Sequence, residues 1–136
     1  MNQLPCTSEA LVVRTDFSTD GAWEAVREAL CSPSEDGFLP NVALIDDRQY
    51  EGLTPDQVLD LVPADYQHPL VVLADPVTVA STEWPLLVAD LRAERRPWVR
   101  VVAAELWSIE NNLAGANMDF DEFADAVDDD GVFRGF

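Results

Sequence analysis

Short, strongly apolar runs, each closed by an acid, set the rhythm of the first half of the chain. Ala10-Leu-Val-Val-Arg-Thr15 stops at Asp16-Phe-Ser, and Asn41-Val-Ala-Leu-Ile-Asp46 and Leu70-Val-Val-Leu-Ala-Asp75 repeat the form. Runs of this length, rich in β-branched residues and without polar alternation, predict strands buried on both faces. Between the first two, Asp20 is placed to cap a helix from about Gly21 to Cys31. Its stripe is Ala22, Val26, Ala29 and Leu30, and Glu24 and Glu28 face outward. Ser32-Pro33 should end it. Thr54-Pro-Asp-Gln57 has the spacing of a capping box with Pro at the first helical position, opening a second helix to about Val62. Strand, helix, strand, helix, strand predicts parallel strands joined by right-handed crossovers, a Rossmann-like half.

The second half is less regular. Pro85-Leu-Leu-Val-Ala-Asp-Leu91 and Trp98-Val-Arg-Val-Val102 predict two further strands, close enough in sequence for an antiparallel hairpin across the basic stretch Arg92-Ala-Glu-Arg-Arg-Pro97. Ala104 to about Leu113 should be a helix with Leu106, Ile109 and Leu113 on one side, stopped near Gly115. Asp119-Phe-Asp-Glu122 opens a last helix, with Phe120, Phe123 and Val127 inward. The expected fold is α/β: a single three-layer Rossmann-like domain over residues 1–136, with a mixed sheet of about five strands, the first three parallel, and two C-terminal helices.

Composition narrows the chemistry. The 136 residues carry 26 Asp and Glu against eight Arg and no Lys, a net charge of -18, so a nucleic-acid backbone would be repelled. Without Lys there is no P-loop lysine and no Schiff base. Cys6 and Cys31, with one His, match no zinc spacing and read as reduced thiols. No apolar run approaches the roughly 20 residues that span a bilayer, and the first residues lack the pattern of a signal peptide, so a cytoplasmic protein without membrane contact is expected.

Two constellations compete for function. Asp16, Asp46 with Asp47, and Asp75 each follow a strand, and the carboxyl edge of parallel strands is where open α/β sheets bind ligands. Converging carboxylates would call for Mg²⁺ and metal-dependent hydrolysis or phosphotransfer, with Asp47 as base. The plainer reading is that Asp favours turns after strands. Asp128-Asp-Asp-Gly131 fails the spacing of an EF-hand. His68 and Asp75 bracket one strand and so lie about 20 Å apart, which leaves Cys31 as the conceivable partner for the imidazole and a bland loop role as the simpler expectation.

The other constellation is a surface. Trp107, Asn111, Asn112 and Asn117 crowd the region of the last two helices, beside Asp119, Phe120, Asp121 and Glu122. Trp supplies buried area and amides supply hydrogen bonds at protein interfaces, although asparagines also cap helices. Residues 119–136 hold seven acids against Arg134 alone, a field that would speed encounter with a basic partner. The resulting expectation is a non-catalytic acidic protein-interaction module without a cofactor. It would be of the immunity or inhibitor kind, or self-associating as a homo-oligomer.

The stretches Leu11-Val-Val-Arg-Thr-Asp-Phe17, Tyr50-Glu-Gly-Leu-Thr-Pro55, Pro63-Ala-Asp-Tyr66, Glu105-Leu-Trp-Ser-Ile-Glu-Asn-Asn-Leu113 and Ala116-Asn-Met-Asp-Phe-Asp-Glu-Phe123 resemble a family of small acidic bacterial proteins, frequent in actinomycetes, described as a domain of unknown function. The resemblance implies a bacterial cytosolic protein and brings no activity, cofactor or site with it. The Asn117-Met-Asp-Phe120 portion is also similar to small immunity-type proteins that neutralise toxins.

Overall fold

A computed structural model describes residues 3–93 and 97–136. Six strands form one sheet in the order β2-β1-β3-β4-β5-β6: β1 (Ala10–Arg14), β2 (Val42–Ile45), β3 (Leu70–Ala74), β4 (Pro85–Asp90), β5 (Trp98–Val102) and β6 (Val132–Phe133). β1 pairs in parallel with both β2 and β3, as the alternation of elements predicts. β4 runs antiparallel to β3 and to β5, so the expected hairpin is present. Arg95 and Arg96 of its basic stretch lie outside the described residues. β6, parallel to β5, was not expected; two residues are too few to leave a periodic signal.

The helices are α1 (Asp20–Cys31), α2 (Pro55–Asp60), α3 (Pro76–Val79), α4 (Leu106–Ala114) and α5 (Phe120–Ala124). Alternate residues of the central strands feed two separate cores. Ala10 and Val12 of β1, with Leu70 and Val72 of β3, meet Trp23, Val26 and Leu30 of α1, Leu106 and Ile109 of α4, and Phe120 and Phe123 of α5. Leu11, Val13, Val71 and Leu73 face Tyr50 and Val58 on the opposite side. That two-sided burial is why both strands are apolar throughout and why the domain has three layers. Each such Val or Leu contributes about 1.5–3 kcal/mol by leaving water. Among the described residues no helix is long and apolar enough to cross a membrane.

Local signals hold at most helix ends. Thr54 and Gln57 exchange both bonds of a capping box, with Pro55 in the first turn, although α2 ends at Asp60, before the expected Val62. Asp75, Pro76 and Thr78 build the same device for the unexpected α3. At α1 the expectation needs correction: Thr19 is the N-cap, and the Asp20 carboxylate turns to Arg14 instead. Trp23 belongs to the α1 stripe, because positions 23, 26 and 30 share a helix face, whereas Ala29 is only half-buried. α4 is preceded by a 3-10 turn over Ala103–Glu105 and ends at Gly115, as expected. The left-handed residue of that ending is Ala116, at φ 57°. Ala116 N–H donates to Leu113 O at 3.2 Å and Asn117 N–H to Asn112 O at 2.8 Å, the paired bonds of a Schellman motif.

Candidate functional site

The strand-end aspartates do not gather. Arg14, the last residue of β1, is 4% exposed and organises the carboxyl edge. Its Nη1 donates to Asp46 Oδ1 at 3.0 Å, its Nη2 to Asp20 Oδ1 at 2.8 Å, and its Nε to the Asp16 carbonyl at 3.2 Å. The guanidinium lies 4.2 Å from the Phe17 ring centroid, and Arg48 approaches the same ring at 5.2 Å. Asp16 accepts from the backbone N–H and hydroxyl of Ser18. Asp47 caps a 3-10 turn (Arg48–Tyr50), and hydrogen bonds from the Gln49 backbone and side chain hold its carboxyl below the usual range.

Asp75 answers to a different cation. Arg100 of β5 grips it with two bonds, Nη1 to Oδ1 at 2.7 Å and Nη2 to Oδ2 at 3.0 Å, and Thr78 N–H donates to Oδ1 at 3.1 Å. Burial pushes the Asp75 carboxyl up, but Arg100 and Thr78 together outweigh it and hold the group below its ordinary value. Asp16, Asp46, Asp47 and Asp75 are therefore corrected as a Mg²⁺ set: among the described residues, no three His, Cys, Asp or Glu side chains come together to hold a metal ion. Each carboxylate already has an arginine or N–H donors, which removes the repulsion that a cation would relieve. In the sequence Arg14 stands out as the lone charge in an apolar strand run.

His68 has a specific partner, and it is not Cys31, which is exposed. Its Nε2 lies 2.9 Å from Glu110 Oε2, with the two side chains 4% and 1% exposed. Leu70 N–H donates to Nδ1 at 3.0 Å, so the ring proton sits on Nε2 and is given to the carboxylate. Glu110 Oε1 accepts from Asn41 N–H at 2.7 Å and from the Asn111 amide at 2.9 Å. A cleft of about 260 Å³ opens beside His68, lined also by Leu59, Val62, Tyr66, Gln67 and Arg92. The Tyr66 hydroxyl donates to Leu70 O at 2.6 Å and accepts from Leu11 N–H at 3.0 Å; burial pushes the phenol up to about 12. Both imidazole nitrogens and the phenol are thus occupied by structural bonds.

Trp107 is half-buried and stacks on Phe38, with ring centroids 4.8 Å apart and planes 11° from parallel. Phe38 and Leu39 are 47% and 43% exposed. The reading of the sequence missed both, although an apolar pair inside Ser34-Glu-Asp-Gly-Phe-Leu-Pro40 was a visible signal. Asn111 donates to Leu39 O at 3.0 Å and so ties this loop to α4, while Asn112 donates to Ser108 O at 2.8 Å within the helix. Asn117, Asp119, Asp121 and Glu122 are exposed, with Glu122 reaching back to Asp119 N–H at 2.8 Å. Phe120 is a correction: at 4% exposure it belongs to the core, because an aromatic residue at the start of α5 is worth more against β-sheet side chains than in water.

The acidic tail is tied down from within. Arg134 binds Asp130 at 2.7 Å, Glu83 at 2.8 Å and Asp128 at 2.9 Å, and these three carboxylates raise its already high pKa further. Arg100 of β5, by contrast, serves Asp75.

The chain belongs to the family described as Domain of unknown function (DUF6924), whose model matches residues 9–136. No curated protein matches it.

Proposed function

For a member of this family, we propose the role of a non-catalytic acidic protein-interaction module, with Phe38, Leu39 and Trp107 at the centre of its contact surface. The observation that carries this reading is the Phe38–Trp107 stack, an aromatic pair left partly in water beside exposed Leu39. Stacked, rigid aromatic side chains cover much partner area at small entropic cost, which is how a few residues come to dominate binding. Glu35 and Asp36 precede Phe38 and are exposed, and Asp119, Asp121 and Glu122 add acids on the region that follows α4. Asn111 acts as a positioning residue that holds the loop to the helix.

With a net charge of -18, a basic protein is the favoured partner, and two copies of the chain would repel. An immunity-type role, capping a basic protein in the bacterial cytosol, would use these features. The test is affinity capture from bacterial lysate at low and moderate salt with wild type, Phe38→Ala and Trp107→Ala. A stoichiometric basic protein, released as salt rises and lost from folded Phe38→Ala, is expected. Equal recovery on folded Phe38→Ala, or recovery of the bait alone with wild type, would overturn the reading.

A further inference from the structure

The second feature that faces outward is backbone. Among the described residues β2 is an edge of the sheet, paired with β1 and with no strand on its other side. Ala10 N–H donates to Asn41 O at 3.0 Å, and in a parallel ladder of this register Ala43 and Ile45 also turn towards β1. Val42 and Leu44 therefore direct their N–H and C=O groups away from the sheet. Natural edges are usually blunted by a charge, a proline, a bulge or extreme shortness. The opposite edge, β6, is two residues long and lies between Asp130 and Arg134. β2, at four residues, carries no charge, proline or interruption in Val-Ala-Leu-Ile, and every residue in it is half-buried.

We propose that the outer edge of β2 is a strand-addition site that takes an extended segment of another protein, apolar at its centre and basic at its ends. The inference deepens the proposed interaction role and rests on it for the existence of a partner. Main-chain bonds to Val42 and Leu44 would supply affinity, and the half-buried side chains on either face would meet alternate residues of the added strand. The preference for basic ends follows from the flanks. Glu35 and Asp36 are exposed and have no ion-pair partner among the described residues, and Asp46 and Asp47 follow the strand, with the Asp46 side chain 48% exposed even while bound to Arg14. The same flanks disfavour a second copy, whose antiparallel β2 would bring like charges together. Phe38 and Leu39 run directly into β2 through Pro40-Asn41, so one partner segment can cover both features.

The test uses the full ¹⁵N-labelled chain and a synthetic peptide of alternating Val and Thr with two Arg at each end. Saturating peptide is expected to slow hydrogen exchange of the Val42 and Leu44 amides by about tenfold or more. The same peptide N-methylated at alternate positions, and its Glu-flanked counterpart, should do neither this nor bind comparably. Unchanged exchange at Val42 and Leu44 under saturation, or equal binding of the N-methylated peptide, would overturn the site. So would sedimentation of the free protein as a dimer with these amides already protected, which would make a second copy the occupant. Repeating the exchange with Phe38→Ala separates the two readings. Protection that survives in that variant supports the edge on its own, and capture that depends on Phe38 without β2 protection leaves only the aromatic surface.

Discussion

His68 Nε2 and Glu110 Oε2 stand 2.9 Å apart, joining the residue pair before β3 to the middle of α4 through a contact that water does not reach. Glu110 serves as the common acceptor for His68, Asn41 and Asn111, so one carboxylate fixes α4, the entry to β2 and the entry to β3.

Glu110→Ala should lower unfolding free energy by about 3 kcal/mol or more, since it strands several buried donors at once. Glu110→Gln should cost less, because its carbonyl still serves Asn41, while its amide faces the Nε2–H of His68. Urea denaturation measures both. In the wild type, ¹⁵N shifts of the ring should report the neutral form protonated at Nε2; the Nδ1–H form would contradict the bond from Leu70.

The Asp75–Arg100 fork makes part of the stability dependent on pH. A carboxyl held below its unfolded value, near 3.9, binds fewer protons folded than unfolded. Its contribution is therefore complete above about pH 4 and fades as pH falls through the lower, folded value. Asp75→Asn should destabilise the protein by about 2 kcal/mol at neutral pH, and the difference from wild type should shrink below pH 4. A difference that stays constant down to pH 2 would contradict the assignment.

Ala116 sits at φ 57°, a conformation that costs an L-residue about 1–2 kcal/mol and glycine almost nothing. Ala116→Gly is expected to gain up to about 1 kcal/mol in a thermal or urea melt. Gly115→Ala should not show the usual gain of a helix-end alanine, because its Cβ would meet the Asn117 amide nitrogen at 3.0 Å and Asn111 O at 3.2 Å.

Arg14→Lys should destabilise by about 2 kcal/mol despite keeping the charge. One ammonium cannot reproduce a planar fork that serves Asp46, Asp20 and the Asp16 carbonyl while lying over Phe17. NMR titration offers a second readout: the Asp20 carboxyl, held low chiefly by its hydrogen bond from Arg14, should move back towards the ordinary range.

Much of the frame is readable from the sequence. Runs such as Leu70-Val-Val-Leu-Ala74 permit little besides a strand buried on both faces, and Thr54-Pro-Asp-Gln57 carries its helix start in its own side chains. The candidate sites were harder. Glu110 lies within the stripe of Leu106, Ile109 and Leu113, so a lone carboxylate at a core position was visible, but its partner His68 is 42 residues away. In the sequence Phe120 stands both on an apolar face with Phe123 and among the acids of the candidate surface, and its burial decides for the core.

The sequence by itself determined the strand segments, most helix starts and the acidic character, because those depend on side-chain periodicity and on bonds within about four residues. Only the tertiary structure decided that β1 lies between β2 and β3, that Arg100 meets Asp75, and that β2 forms an edge of the sheet. These are contacts between residues far apart in the chain, and their energies depend on distances that no local pattern contains.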